Sequence, residues 1–294
     1  MLSLEYLSAL HREYHAELAA TVQEFSLGGR HFAFNTAPSI MGVINLSPDS
    51  WYRESVCLST ESALRRARVL IAQGASLVDI GAESTLAQAA RTDEAEQAGR
   101  MLPLIRELRS EKILCSAETY LPSVVREALE AGAVVLNLTG AGSAEIYREV
   151  AAHDAAVILC YVEGANVREV RDFDLTRDAF PAMEAYFQKQ AELAIKNGVK
   201  KIIIDPGLGF YDRNLQDSAT RVRHQMTVFL NTFRLRKLGF PVCHALPHAF
   251  EFFGEEVRSA EPFFAVLAAL GRTDLFRTHE VARTRAVIET LKVF

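Results

Sequence analysis

The sequence predicts an α/β fold, a (β/α)8 TIM barrel with an extra N-terminal helix. From residue 40 onward, short apolar runs alternate with longer segments of helical periodicity, the pattern of βα units winding a parallel sheet. Eight such runs can be counted, the number that closes a barrel: Ile40 to Asn45, Leu77 to Gly81, Lys112 to Ser116, Val134 to Asn137, Ala156 to Cys160, Lys201 to Asp205, Pro241 to His244, and Asp274 to Arg277. The expected division is a helical extension over 1–27 and a barrel domain over 28–294.

The opening stretch mixes Glu5, His11, Arg12 and Glu13 with Leu4, Leu7, Leu10 and Leu18, which tend to one side of a helix expected over residues 3–24. Such a helix can cover a barrel end or a neighbouring subunit. The stretch lacks the uninterrupted apolar core of a signal peptide, and no apolar run approaches membrane-spanning length. Ile40 to Ile44 is apolar and uncharged, as suits a strand covered on both faces, and Asn45 then sits at its carboxyl end before Ser47, Pro48, Asp49 and Ser50. Helical spacing recurs over Glu61 to Gln73, Asp93 to Arg109, Pro122 to Ala131 and Ala144 to Ala152, with Gly74 and Gly132 where helices should stop. Glu163 to Asp178 is the longest irregular piece, a loop after the fifth strand. No G-x-G-x-x-G opens the first helix, which argues against a dinucleotide-binding open sheet.

Of the 294 residues, 49% are hydrophobic, enough for a large core, and the net charge of -5 with no basic run argues against a nucleic-acid surface. Cys57, Cys115, Cys160 and Cys243 are scattered without C-x-x-C spacing, so neither a disulfide framework nor a structural zinc site is expected. A reducing cytoplasm is the simplest location.

In a barrel, polar residues at the carboxyl ends of the strands face one mouth. Here they are Asn45; Glu83, Ser84 and Thr85; Glu118 and Thr119; Asn137; Asp205; His244 and His248; Arg277 and His279. Amides and carboxylates occupy the middle of this order, while anion-friendly groups come from the first and last strands, neighbours in a closed barrel. A ligand with two ends is implied. Asn45 can place an amide oxygen on a metal ion while its loop meets an anion, or it can simply precede a Ser-Pro-Asp turn. Asp205, after three isoleucines, can take a planar donor-donor edge bidentately, or cap the following Pro-Gly turn. Glu118 and Asn137 can read the same heterocycle; alternatively Glu118 is an acid favoured by a helix dipole and Asn137 a left-handed loop residue. Arg277 and His279 can present positive charge to phosphate, or form an ion pair with Glu280. The spacing of His244 and His248 suits a metal only on a regular helix, which Pro247 disfavours.

Taken in order, these residues resemble the dihydropteroate synthase family, within the wider group of pterin-binding barrels, over about residues 28–292. IMGVINLSPDSW at Ile40 to Trp51, GAEST at Gly81 to Thr85, DPGLGF at Asp205 to Phe210 and FRTHEV at Phe276 to Val281 are similar to that family's ordered motifs. The resemblance implies condensation of a dihydropterin methyl pyrophosphate with p-aminobenzoate or a related arylamine, releasing pyrophosphate with Mg2+ assistance. It further implies that Asn45 ligates magnesium, that Arg277 and His279 hold phosphate oxygens, that Glu118, Asn137 and Asp205 read the pterin, that Thr85 lies near the second substrate, and that the chain forms a homodimer.

Several positions depart from the family pattern. LPHAF places His248 where a lysine is expected, Leu86 replaces an arginine, Glu118 replaces a shorter aspartate, and WYRESV replaces a glycine-rich tail. These departures leave open a pterin-binding barrel with altered chemistry, such as methyl transfer from a methyltetrahydrofolate, or a non-catalytic synthase-like partner.

Overall fold

In the computed structural model, residues 2–50, 52–84, 91–162, 164–166, 178–208, 217–247 and 249–294 are described. Thr85, Leu86 and His248 lie outside the described residues, as does most of the loop after the fifth barrel strand.

The N-terminal helix α1 runs from Leu4 to Glu13 and does not extend to residue 24. Ser3 caps it by accepting from the Tyr6 N–H at 3.3 Å, and Leu7 and Leu10 pack against the core. Beyond it the apolar spacing changes from helical to alternating. Phe25, Leu27, Phe32 and Phe34 are buried while Ser26 and His31 are exposed, and the chain forms an antiparallel hairpin of β1 (Phe25–Leu27) and β2 (Arg30–Phe32). The expected division at residue 27 falls on the turn of this hairpin. Asn35 ties the hairpin's two flanks together, accepting from the Val22 N–H at 2.9 Å and donating to the Val22 carbonyl at 2.8 Å.

Eight parallel strands follow: β3 (Ser39–Asn45), β4 (Leu77–Gly81), β5 (Cys115–Thr119), β6 (Val135–Leu138), β7 (Ala156–Cys160), β8 (Lys201–Asp205), β9 (Cys243–Ala245) and β10 (Leu275–Thr278). They pair consecutively from β3 to β8, β10 pairs with both β3 and β9, and a bridge between Ile204 and Val242 brings the open edges together into a nearly closed barrel. Around it lie α2 (Thr60–Gln73), α3 (Glu94–Ser110), α4 (Pro122–Ala131), α5 (Ala144–Ala152), α6 (Phe180–Lys196), α7 (Ser218–Asn231), α8 (Phe233–Arg236), α9 (Phe250–Phe253), α10 (Ala260–Leu270) and α11 (Val281–Leu291). No described helix is long and apolar enough to cross a membrane.

The third strand lies three residues later than the expected Lys112 to Ser116. Residues 111–113 finish α3 instead: Lys112 adopts φ +58° and the Ile113 N–H donates to the Leu108 carbonyl at 2.9 Å. This shift puts Glu118 inside β5 rather than after it.

Strand alternation divides the core in two. Outward residues such as Ile44, Val78, Leu136, Ile204 and Phe276 pack against the helices. Inward residues Met41, Leu77, Val135, Ile158, Ile203 and Leu275 form an inner cluster with Phe25, Leu27, Phe32 and Phe34 of the hairpin region. The hairpin therefore plugs the amino-terminal end of the barrel, so the other end is where a ligand can enter.

Candidate functional site

The register sets the mouth. Asn45 pairs with Gly81, Gly81 with Glu118 and Glu118 with Asn137, so these positions form one level at the carboxyl ends of neighbouring strands, and Asp205, paired with Cys160, lies two residues further towards the carboxyl end. A Cβ at Gly81 would lie 3.3 Å from Glu118 Oε2, so the carboxylate would have to give by a few tenths of an ångström.

Arg277 rises into this level from β10. Its Nε donates to Asp79 Oδ2 at 2.7 Å and its Nη2 donates to Glu118, while Asn137 Nδ2 donates to the same Asp79 oxygen at 3.0 Å. Cys160 Sγ lies 3.4 Å from Asn137 Oδ1. Asp79 is fully buried, and its Oδ1 has no hydrogen-bond partner among the described residues. Burial raises the Glu118 carboxyl pKa, against the downward pull of Arg277; for Arg277 itself burial disfavours the charge, but Glu118 and Asp79 outweigh it and keep the guanidinium protonated. A guanidinium carries five N–H donors, so the two ion pairs leave Arg277 with capacity towards a ligand.

Asp205 ends β8 with 4% of its surface exposed. The Gly207 N–H donates to its Oδ1 at 2.8 Å, and the chain turns there at φ +78°, a conformation that glycine adopts readily. Burial pushes the carboxyl pKa up to about 6, and the Gly207 amide and Arg277 restrain that rise. Asp205, Glu118 and Asn137 thus supply carboxylate and amide groups on one side of a desolvated mouth, the arrangement expected for a flat heterocycle rich in N–H donors.

A different set of groups forms the β3 and β10 rim. Asn45 Nδ2 donates to Ser55 Oγ at 2.6 Å, which orients the amide and leaves Oδ1 as its acceptor end. Among the described residues no group of three His, Cys, Asp or Glu side chains is placed to enclose a metal. One oriented amide oxygen fits Mg2+ that arrives with phosphate and keeps most of its waters, rather than a protein cage. His279 Nδ1 lies 2.7 Å from Glu261 Oε1, and its ring stacks on Tyr52 with centroids 4.4 Å apart. Tyr52 donates to Glu280, which also accepts from Arg258 Nε at 2.6 Å.

Asn45, Glu118, Asn137, Asp205 and Arg277 therefore meet at the barrel mouth, and His279 lies on its rim beside α10. Arg277 and His279 have separate acid partners, and Glu280 pairs with Arg258 and Arg283, not with Arg277. His244 does not face the mouth. It points outward, with Nε2 2.7 Å from Thr232 Oγ1 and its ring against Phe229, and burial lowers its pKa to about 3. Thr119 also turns outward and donates to Gln97 at 3.0 Å.

Sequence reasoning missed Asp79, Glu261 and Tyr52. The first two carried a signal, since an acid inside LVDIG or beside FFAVLAAL has to be buried and therefore has to find donors.

Residues 41–245 match the model of the pterin binding enzyme family. The chain is 30% identical to dihydropteroate synthase from Synechocystis over 87% of this chain and 89% of that protein, and 29% identical to dihydropteroate synthase from Streptococcus pyogenes over 88% and 97%. Among solved structures it is similar to Xanthomonas albilineans dihydropteroate synthase with 4-aminobenzoic acid (TM-score 0.77, 26% identity, 93% of this chain and 98% of that one). It is also similar to the Thermus thermophilus enzyme in complex with 6HMPPP (TM-score 0.73, 25% identity, 92% and 100%).

Proposed function

Because the chain belongs to the dihydropteroate synthase family of pterin-binding enzymes, we propose that its barrel mouth holds a dihydropterin methyl pyrophosphate in one orientation, ring inward and pyrophosphate at the β3 and β10 rim. The chain is a dihydropteroate synthase-like transferase, condensing that substrate with p-aminobenzoate to give dihydropteroate and pyrophosphate. The Thermus relative bound to 6HMPPP and the Xanthomonas relative bound to 4-aminobenzoic acid support the choice of substrates.

The observation that carries the orientation is the separation of charge types. Asp79, Glu118, Asn137 and Asp205 gather acceptors around Arg277 inside the barrel, whereas Asn45 and His279 stand at the rim. Asp205 and Glu118 accept from the ring's amino and N–H edge, Asn137 supplies a further polar contact, and Arg277 directs its remaining donors towards the phosphate end. As the arylamine nitrogen bonds to the methylene carbon and gives up one of its protons to solvent, the carbon-oxygen bond to pyrophosphate breaks and negative charge grows on the departing oxygens. Asn45 is the residue that would help hold Mg2+, which when bound would supply positive charge to stabilise that departure. Arg277 and His279 hold phosphate oxygens through the step. Thr85 and His248, both outside the described residues, are assigned from the sequence to the second-substrate side.

The rest of the proposal is a homodimer working in the cytoplasm, with residues 1–27 as an extension of the barrel. The four cysteines are free, which suits a reducing compartment. The test is release of pyrophosphate by purified protein given Mg2+, dihydropterin pyrophosphate and p-aminobenzoate. Turnover above a heat-inactivated control is expected, and none would remove the reading.

A further inference from the structure

The loop between β3 and α2 is tied to the end of β10 by one side chain. Tyr52 is buried, and its carbonyl, its ring and its hydroxyl each make a different contact. The carbonyl accepts from Ser55 Oγ at 2.8 Å across the turn Arg53–Ser55. A serine hydroxyl has one proton, so Ser55, fully buried and committed to that carbonyl, can only accept from Asn45. The 2.6 Å contact therefore has to come from Asn45 Nδ2, which turns Oδ1 the other way. The Tyr52 ring stacks on His279 with 27° between the planes. Its hydroxyl donates to Glu280; burial and that neighbouring carboxylate raise the phenol pKa, so the proton stays on oxygen.

Glu280 is anchored in turn. It accepts from Arg258 Nε at 2.6 Å and Nη2 at 3.1 Å, and lies 3.4 Å from Arg283 Nε on α11. Burial pushes its pKa up, but Arg258 and Tyr52 outweigh that and hold the carboxyl below the ordinary glutamate value.

We propose that Tyr52 is a positioning residue that holds Asn45 and His279 in one frame, fixed through its hydroxyl on Glu280, for the pyrophosphate end of the substrate. This rests on the functional reading above and adds to it a residue that acts through two others without touching substrate. Asn45 ends β3 and His279 follows β10, so each belongs to a loop that can shift without the other. Tyr52 removes that independence. Its backbone sets the Asn45 amide through Ser55, its ring lies on the imidazole, and an aromatic side chain held at its far end has little freedom left.

The test uses the full chain. Calorimetric binding of inorganic pyrophosphate with Mg2+ is compared for wild type, Tyr52→Phe, Glu280→Gln and the double variant, with the unphosphorylated hydroxymethyl dihydropterin as a second ligand. Tyr52→Phe keeps the carbonyl and the ring and removes only the hydroxyl. It is expected to weaken pyrophosphate binding on the order of tenfold, as loss of a hydrogen bond to a charged group does, and to leave affinity for the heterocycle unchanged. Equal weakening of both ligands would reveal a general loosening of the barrel and overturn the proposal. The double variant is expected to bind pyrophosphate no more weakly than Glu280→Gln, because both substitutions break the same contact, and additive losses would overturn it as well. Hydrogen exchange in peptides covering 52–57 is expected to be faster in both single variants, and unchanged exchange would show that the hydroxyl does not hold the turn. If wild type binds no pyrophosphate, the functional reading fails and this role fails with it. If wild type binds and Tyr52→Phe binds equally well, the role alone fails.

Discussion

Arg277 on β10 and Asp79 on β4 meet at 2.7 Å inside the barrel although 198 positions separate them, and Asp79 holds Asn137 through the same oxygen. One aspartate thereby places a cation and an amide from two other strands at the mouth. Because it has no solvent exposure, its charge matters to folding as much as to binding.

Asp79→Asn leaves Arg277 with Glu118 alone and turns one acceptor into a competing donor. Breaking a buried pair from one side costs about 3–5 kcal/mol, so a loss approaching that size is expected in urea unfolding, together with weaker dihydropterin binding. A stability change below about 1 kcal/mol would mean that Arg277 finds another acceptor and that the network is not held by Asp79.

Asp205 gives pterin binding a pH dependence. Its folded-state pKa of about 6 stands above the ordinary aspartate value, so between about pH 4 and 6 the folded protein binds a proton that the unfolded chain has released. Stability from this group is therefore lost, not gained, as pH rises through that window, whereas affinity for a donor-rich heterocycle grows as the carboxylate ionises. Dihydropterin affinity measured from pH 5 to 8 is expected to rise through about 6, and Asp205→Asn is expected to flatten that rise while lowering affinity at pH 8.

His244 acts in the opposite sense on stability. Burial lowers its pKa to about 3, so as pH falls below about 6.5 the unfolded chain takes up a proton that the folded protein does not. Stability attributable to this residue is present at neutral pH and declines towards pH 3, by about 1.4 kcal/mol per pH unit for one proton. Urea unfolding of His244→Gln at pH 7 and pH 5 is expected to show a shallower pH slope than wild type. An unchanged slope would mean that His244 is not the group responsible.

The barrel was legible in the sequence because its strands are covered on both faces and therefore read as apolar runs. Leu77 to Gly81, Ala156 to Cys160 and Lys201 to Asp205 have the expected limits. β5 was misplaced because KILC is apolar at its centre, whereas Lys112 and Ile113 are used to close α3. The hairpin lies just beyond the helix expected over residues 3–24, where the alternation of Phe25 and Leu27 before Gly28 and Gly29 carries its signal. At the mouth, strand ends pointed to Asn45, Glu118, Asn137, Asp205 and Arg277, but strand-end reasoning does not tell inward from outward. His244 shows the consequence: its position near a strand end was right, and its side chain packs on Phe229. Asp79 was missed for the complementary reason, since it lies two residues below the strand end and reaches the site through Arg277 and Asn137.

The departure at His248 yields the sharpest test of how this chain treats its second substrate. The family resemblance expects a lysine there. An ammonium is charged throughout the neutral range, whereas an imidazole of ordinary basicity is mostly neutral at pH 8. A carboxylated arylamine such as p-aminobenzoate gains from a fixed positive charge, and a charge-assisted contact is roughly twice as strong as a neutral one. His248→Lys is therefore expected to raise kcat/KM for p-aminobenzoate at pH 8 by on the order of tenfold, equivalent to about 1.4 kcal/mol, with a smaller gain at pH 6, where an imidazole is itself largely protonated. The KM for dihydropterin pyrophosphate serves as the control and is expected to change less. If the substitution lowers turnover at both pH values, the imidazole is matched to this chain's own second substrate, and arylamines other than p-aminobenzoate become the ones to compare by the same assay.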